Sequence, residues 1–213
     1  MKRQLYGVLG LVAFGALALI VATFLARVLG LAGSPPTVRV ALGQTWDQVR
    51  SASNYPFVLT DRTRTGYAIQ DQAVDFAYVD PARGFTLPAA RTVWFQLDKE
   101  HVNFIFVMPF QRVLTWTEAA QLCDEIAARL DRAGWPRDGR YGLEQAREYY
   151  TNPTFANGPN DFAVQLWRDG DKTTELALYR NVQTRADAGN STPERIDADR
   201  FSVSVTIEQW SKP

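Results

Sequence analysis

The sequence predicts an α+β protein: one N-terminal transmembrane helix followed by a mostly antiparallel sheet packed by one long and two short helices. Three observations lead to this prediction: an uncharged apolar run near the N-terminus, one amphipathic segment with clear ends, and alternating apolar segments joined by polar turns. Strand-like segments interrupted by helices, without regular βαβ alternation, favour α+β over a doubly wound fold. A chain of 213 residues that is 46% hydrophobic has enough apolar surface for one core.

We expect the N-terminal segment to anchor the chain in a membrane. Leu5 to Ala26 contains 22 residues without a charge, and as a helix this run is roughly 33 Å long, the thickness of a hydrocarbon core. Lys2 and Arg3 precede the run and Arg27 follows it, a pattern that favours an uncleaved signal anchor. A cleaved signal ending at Gly30-Leu31-Ala32 is the alternative.

The whole chain divides into the anchor, a short tether and one domain. Residues 1–33 form the anchor and its flank, residues 34–36 a short Pro-rich tether, and residues 37–213 a single soluble α+β domain. Positive charge is nearly equal at the two ends of the apolar run, so it orients the helix only weakly, and a long domain is translocated largely regardless. We expect a single-pass inner-membrane protein with a cytoplasmic N-terminus and its domain in the periplasm.

The long helix is predicted from Trp116 to Ala133. Thr115 and Glu118 form a capping box at its start, and Gly134 supplies the residue type that commonly ends a helix. Apolar residues at helical spacing provide one stripe for a core: Ala119, Leu122, Cys123, Ile126 and Leu130.

The other elements are predicted from shorter patterns. Two short helices are expected, one from Trp46 to Ser53 and one from Leu143 to Tyr150. In the clear strand from Val102 to Met108, the run Phe104-Ile105-Phe106-Val107-Met108 is apolar throughout, so we expect this strand to be central and covered on both faces. The remaining clear strands are Val38 to Leu42, Arg91 to Asp98, Phe162 to Arg168, Thr174 to Arg180 and the alternating run from Phe201 to Ile207.

Charge and cysteine content exclude several classes of function. The soluble part has 20 basic and 23 acidic residues, and its arginines are interleaved with acids, so no nucleic-acid partner is expected. Cys123 is the only cysteine, which excludes an intrachain disulfide and a CxxC pair. Because it lies on the apolar stripe of the long helix, we interpret it as a packing residue. No metal site and no cofactor are predicted.

The sequence offers little to catalysis. His101 is the only histidine and falls in a predicted hairpin loop without a nucleophile beside it, so a triad is not expected. Motifs for nucleophile elbows, zinc proteases, P-loops and dinucleotide sites are absent. The one alternative is a carboxylate pair, Asp75 and Asp80, which flanks an apolar-aromatic stretch and could serve an envelope enzyme.

Aromatic residues are the candidate binding site. Trp94, Trp167 and Trp210 are expected on the strand faces opposite the main apolar alternation, with Tyr149 and Tyr150 on the last short helix. Large aromatic anchors are common hot spots of protein interfaces. The competing interpretation is that they form a second layer of core.

Two resemblances bear on function. Gly84-Phe85-Thr86-Leu87-Pro88, Leu122-Cys123-Asp124-Glu125 and Leu130-Asp131-Arg132-Ala133-Gly134-Trp135 resemble membrane-anchored envelope and immunity-type proteins associated with bacterial secretion effectors. Gly43-Gln44-Thr45 with Asp47-Gln48-Val49 is similar to the helix opening of envelope-assembly modules of the BamE and inhibitor-like kind. The first resemblance implies a preformed interface for a secreted effector.

Three hypotheses follow. The first is a non-enzymatic, membrane-anchored, extracytoplasmic domain that binds a protein partner, with immunity or an accessory role for a secreted effector as its specific form. The second is an envelope enzyme that acts on a cell-wall or lipid substrate through carboxylates. The third is a structural subunit of an envelope complex in which the anchor helix takes part in assembly.

Overall fold

The computed structural model describes residues 35–57, 66–69, 73–109, 112–139, 142–152, 161–180, 184–185, 194–195 and 200–209. The chain divides into two compact units between Pro35 and Pro36, within the predicted tether. None of the described helices is long and apolar enough to cross a membrane. The predicted anchor, Leu5 to Ala26, lies outside the described residues.

The described part of the domain has an α+β fold, as predicted. Its elements, in chain order, are β1 Thr37–Val40, α1 Trp46–Ala52, β2 Gly66–Ile69, β3 Val74–Tyr78, β4 Phe85–Asp98, β5 His101–Pro109, α2 Trp116–Arg132, α3 Leu143–Thr151, β6 Asp161–Asp169, β7 Lys172–Arg180, β8 Thr184–Arg185, β9 Glu194–Arg195 and β10 Phe201–Gln209.

One large sheet organises the domain. Its strands follow the order β1-β3-β4-β5-β10-β7-β6, with β2 paired to β4 beside this path, while β8 and β9 form a separate pair. The β1 and β3 strands are parallel, and the other pairings within the large sheet are antiparallel. The mostly antiparallel sheet is therefore confirmed, whereas the parallel pair and β2 were not predicted.

The long helix α2 forms where its capping signals predict it. The Thr115 amide donates to Glu118 Oε2 at 2.9 Å, and the Glu118 amide donates to Thr115 Oγ1 at 3.4 Å. Gly134 follows the helix with φ of 80°, a left-handed conformation that favours glycine. The predicted stripe is confirmed for Ala119, Cys123, Ile126 and Leu130, which are buried, while Leu122 is partly buried against the core.

The short helix α1 covers the edge of the sheet. Thr45 and Gln48 form its capping box, and after the helix ends Ser53 Oγ accepts a hydrogen bond from the Arg39 amide at 2.9 Å. The Asn54 amide donates to the Thr37 carbonyl at 3.2 Å. These bonds occupy backbone groups of β1 that would otherwise leave an open sheet edge.

The three helices in the described part of the chain pack on one face of the sheet, which we name the inner face. Trp46 of α1 contacts Phe95, with 5.9 Å between ring centroids. Trp116 of α2 and Tyr150 of α3 each lie 5.3 Å from Phe201. Cross-strand pairing puts Phe95, Ile105 and Ile207 in one row of this face, and all three are fully buried. The core of the domain therefore lies between this face and the helices.

The strand β5 is central, as predicted, but its two sides differ. It lies between β4 and β10, and Ile105 and Val107 are fully buried on the inner face. Phe104 and Phe106, on the opposite side, are only half-buried. The prediction that this strand is covered on both faces is therefore wrong.

The sheet curls so that distant strands meet. Lys172 Nζ in the β6–β7 hairpin lies 2.7 Å from Asp80 Oδ2, which follows β3. Nearby, Arg83 Nε lies 2.9 Å from Asp169 Oδ2. Because β3 and the β6–β7 pair are separated by three strands in the sheet order, these contacts require strong curvature of the sheet.

Candidate functional site

The strands from β4 to β6 have a second side, away from the helices, which we name the outer face. Its central row is defined by cross-strand pairing: Trp94 lies opposite Phe106, Phe106 opposite Thr206, and Thr206 opposite Glu175. Leu166 completes the row opposite Glu175. Directly paired residues share one face of a sheet, so these five side chains project to the same side.

The outer face is aromatic. The Trp94 and Phe104 ring centroids are 5.0 Å apart, and those of Phe106 and Tyr179 are 6.4 Å apart in an edge-to-face arrangement. Trp94 is 37% exposed and is the one exposed large hydrophobic residue in the part of the chain that the structure describes. A run of apolar side chains across adjacent strands that ends in an exposed tryptophan is typical of a protein-binding surface.

Glu175 gives the same face an unbalanced charge. Its carboxylate is half-buried and has no hydrogen-bond or ion-pair partner among the described residues. Burial raises the pKa of Glu175 above its ordinary value, and the negative charges of Glu208 and Asp161 raise it further. The centre of the outer face is therefore both apolar and acidic.

Arg168, a cation on the same face, already forms an ion pair with Asp138. Arg168 lies opposite Thr173 on the outer face, but its guanidinium Nη2 lies 3.3 Å from Asp138 Oδ2. Glu208, the closest acid along β10, accepts a hydrogen bond from Thr173 Oγ1 at 3.1 Å. Among the described residues, the polar contacts of this region therefore leave the Glu175 carboxylate without a cation.

The structure separates the tryptophans that the sequence grouped together. Trp94 lies on the outer face, as expected, and Trp210 lies outside the described residues. Trp167 is fully buried on the inner face, and its indole Nε1 donates to Asp131 Oδ1 at 3.0 Å. The expectation that Trp167 lies opposite the apolar alternation is wrong, and this residue is part of the core.

The two candidate tyrosines belong to the packing of α3. Tyr150 is buried, and its hydroxyl donates to the Leu178 carbonyl at 2.6 Å. Tyr149 is half-buried and lies 5.2 Å from Phe162 between ring centroids. For both residues the geometry favours the core interpretation over an interface anchor.

The carboxylates considered for catalysis have separate surroundings. Asp80 Oδ1 accepts hydrogen bonds from the Ala82 and Arg83 amides at 2.8 and 3.1 Å. Burial alone would raise the pKa of Asp80, but the bond from Lys172 and these two amides outweigh it and lower that pKa. Asp75 lies on β3 and accepts a weak 3.4 Å bond from the Ala89 amide. Asp80 is thus held ionised by contacts that join the two ends of the curled sheet.

Other chemistry has little support in the described residues. They contain no group of three or more His, Cys, Asp and Glu side chains that could hold a metal ion. A hollow of about 400 Å³ lies beside Cys123, between α2, α3 and β6. Burial, with the charge of Asp124, raises the pKa of the Cys123 thiol to about 12, so it is a poor nucleophile at neutral pH.

Sequence reasoning missed three central residues of the outer face: Phe104, Phe106 and Glu175. The continuous apolar run of β5 concealed the two phenylalanines, because a run without polar residues does not reveal which side is uncovered. Glu175 could have been found, since it is the one charged residue between Thr173 and Tyr179, within a predicted strand. A charge within a strand that has neighbours on both sides costs free energy unless it is paired, so such a position is worth examining.

Comparison with known proteins yields no relative: no family model, no curated protein and no solved structure matches this chain.

Proposed function

We propose that this chain is a non-enzymatic, membrane-anchored, extracytoplasmic protein-binding domain, and that the outer face is the surface that binds its partner. The observation that carries the proposal is the division of the sheet: three helices bury the inner face, while the outer face displays Trp94 beside Phe104 and Phe106. Exposed aromatic residues lose little conformational entropy on binding and bury much apolar area.

The size of the outer face indicates the kind of interface. Five strands spaced about 4.8 Å apart, each contributing roughly seven residues at about 3.3 Å, cover on the order of 550 Å² in projection. A standard interface buries about 800 Å² on each partner. A partner must therefore also contact the rim, or else bind weakly and transiently.

The specific form of the proposal is immunity or an accessory role for a secreted effector. The resemblance of residues 84–88, 122–125 and 130–135 to envelope and immunity-type proteins supports this form. We also propose that the domain lies in the periplasm on an inner-membrane anchor. This location would bring it to such an effector.

The envelope-enzyme alternative depends on Asp75 and Asp80. The ion pair from Asp80 to Lys172 and the lowered pKa of Asp80 suit a structural carboxylate, whereas a general acid needs a raised pKa. We therefore favour binding over catalysis.

Site-specific photo-crosslinking tests the proposal. Trp94 of the full chain is replaced by p-benzoylphenylalanine, an aromatic residue that reacts with neighbouring chains on illumination, and the protein is expressed in its native envelope. Arg132, exposed on α2, carries the same probe in the control. We expect one discrete adduct from position 94 that is reduced by Phe106→Ala and absent from position 132. Equal adducts at both positions, or none at position 94, would contradict the proposal.

A further inference from the structure

The acidic centre of the outer face suggests what the partner presents to it. Glu175 projects between Thr206 and Leu166 in the same row as Phe106 and Trp94. Its carboxylate has no partner among the described residues. This inference rests on the proposed function, because it concerns the chemistry of the same surface.

The Glu175 carboxylate lowers the stability of the domain when no partner is bound. Glu208 lies diagonally across from Glu175, since the β10 residue directly opposite is Thr206, and like charges on neighbouring strands repel. Partial burial adds a desolvation cost, because a half-buried carboxylate loses part of its hydration. A glutamine of the same shape would remove both costs. A cation supplied by a partner would offset both costs and so account for an acid at this position.

We propose that the partner is a basic protein segment that places an arginine or lysine side chain against Glu175, between the aromatic residues of the outer face. A guanidinium or ammonium group would donate charge-assisted hydrogen bonds to the carboxylate. Its aliphatic stem would lie on the aromatic surface formed by Phe106 and Trp94, and cations pack favourably against such rings.

The negative charge of the outer face also argues against two other binding partners, a second copy of this chain and an anionic lipid surface. Two copies of this chain joined through their outer faces would bring Glu175 and Glu208 of one copy towards the same acids of the other, which is unfavourable. An anionic lipid surface would be repelled by the same acids. A basic segment is the occupant that complements both the apolar and the acidic character of the face.

A matched pair of peptides tests the inference. Fluorescein-labelled hexa-arginine and its neutral isostere hexa-citrulline are titrated against the full chain in a nonionic detergent, and binding is followed by fluorescence anisotropy. We expect only the arginine peptide to bind, and Glu175→Gln to weaken its affinity at least about fivefold. Glu148→Gln, which removes an equal charge from an exposed position on α3, should change the affinity less than about twofold.

A folding measurement separates lost recognition from lost structure. At pH 7 Glu175→Gln should raise the midpoint of thermal unfolding by about 1–2 °C, because it removes a disfavoured charge. The raised pKa means that wild-type stability falls as pH rises through that pKa, so the gain should shrink as pH falls and Glu175 becomes protonated. The charged and titratable groups around Glu175 are Glu208, Asp161, Tyr179 and, diagonally across on β6, Arg168 with its partner Asp138.

Three outcomes would overturn the inference: equal losses for Glu175→Gln and Glu148→Gln, equal binding of the two peptides, or no binding of either. The crosslinking experiment at Trp94 remains independent of all three. A discrete Trp94 adduct together with a failed peptide test would mean that the face binds its partner through apolar contacts alone. The proposed protein-binding function would then hold, but the partner would not place an arginine or lysine against Glu175.

Discussion

Trp94 and Trp167 lie on opposite faces of the same sheet because of one irregular residue, Val164. Before the irregularity, Ala163 pairs with Ala177; after it, Gln165 pairs with Leu176, so the register of β6 shifts by one at Val164. This bulge reverses the alternation of the strand and turns Trp167 towards the inner face. Nothing in the local sequence marks the bulge, so Trp167 could not be distinguished from Trp94 by alternation alone.

The single cysteine was correctly predicted from its position on the stripe of α2. With its thiol buried and the pKa raised to about 12, Cys123 should react slowly with Ellman's reagent at pH 8 in the folded protein. In denaturant it should react fully, since the unfolded thiol regains an ordinary pKa. Rapid stoichiometric labelling of the native chain would contradict the burial of Cys123 and its role in packing.

At the scale of elements, the helices were predictable and part of the sheet was not. Capping boxes at Thr45 and Thr115 are local signals, so the starts of α1 and α2 agree with the structure. The strand β4 begins at Phe85 rather than at Arg91, because its first residues pair with β3. Ala89, with φ of 50°, interrupts the alternation there. Pairing partners far along the chain determine such strands, and propensity does not contain that information.

The capping box of α2 provides a quantitative test. Thr115→Ala should lower the free energy of unfolding by about 1 kcal/mol, since it removes an acceptor for the Glu118 amide. Thr117→Ala, two residues later and exposed, should change it by less than about 0.5 kcal/mol. Chemical denaturation of both variants measures the difference. Equal effects would show that the cap does not stabilise the helix.

The same capping box should respond to acid. The hydrogen bonds from Arg112 and Thr115 lower the pKa of Glu118 to about 2. A lowered carboxyl pKa stabilises the fold above the ordinary value near 4.5, and that contribution is lost as pH falls towards 2. The effect of Thr115→Ala should therefore be smaller at pH 2.5 than at pH 7.

At the scale of the whole molecule, the proposed function rests on how the sheet is covered. The helices enclose the inner face, the ion pairs of Asp80 and Arg83 join the ends of the curled sheet, and the outer face is left with an exposed tryptophan and an acid. The α+β class and the core-covering helices could be predicted from periodicity. Which face the described helices leave uncovered depends on curvature and pairing across the sheet, which the sequence does not display.

Hydroxyl-radical footprinting of Trp94 tests the central claim that the outer face is occupied by a partner. The full chain is oxidised both purified in detergent and within intact native membranes, and buried Trp135 and Trp167 serve as internal references. We predict that Trp94 is oxidised in the purified protein and protected at least about fivefold in native membranes, while the two references stay slow in both. Equal oxidation of Trp94 in the two samples would contradict the claim.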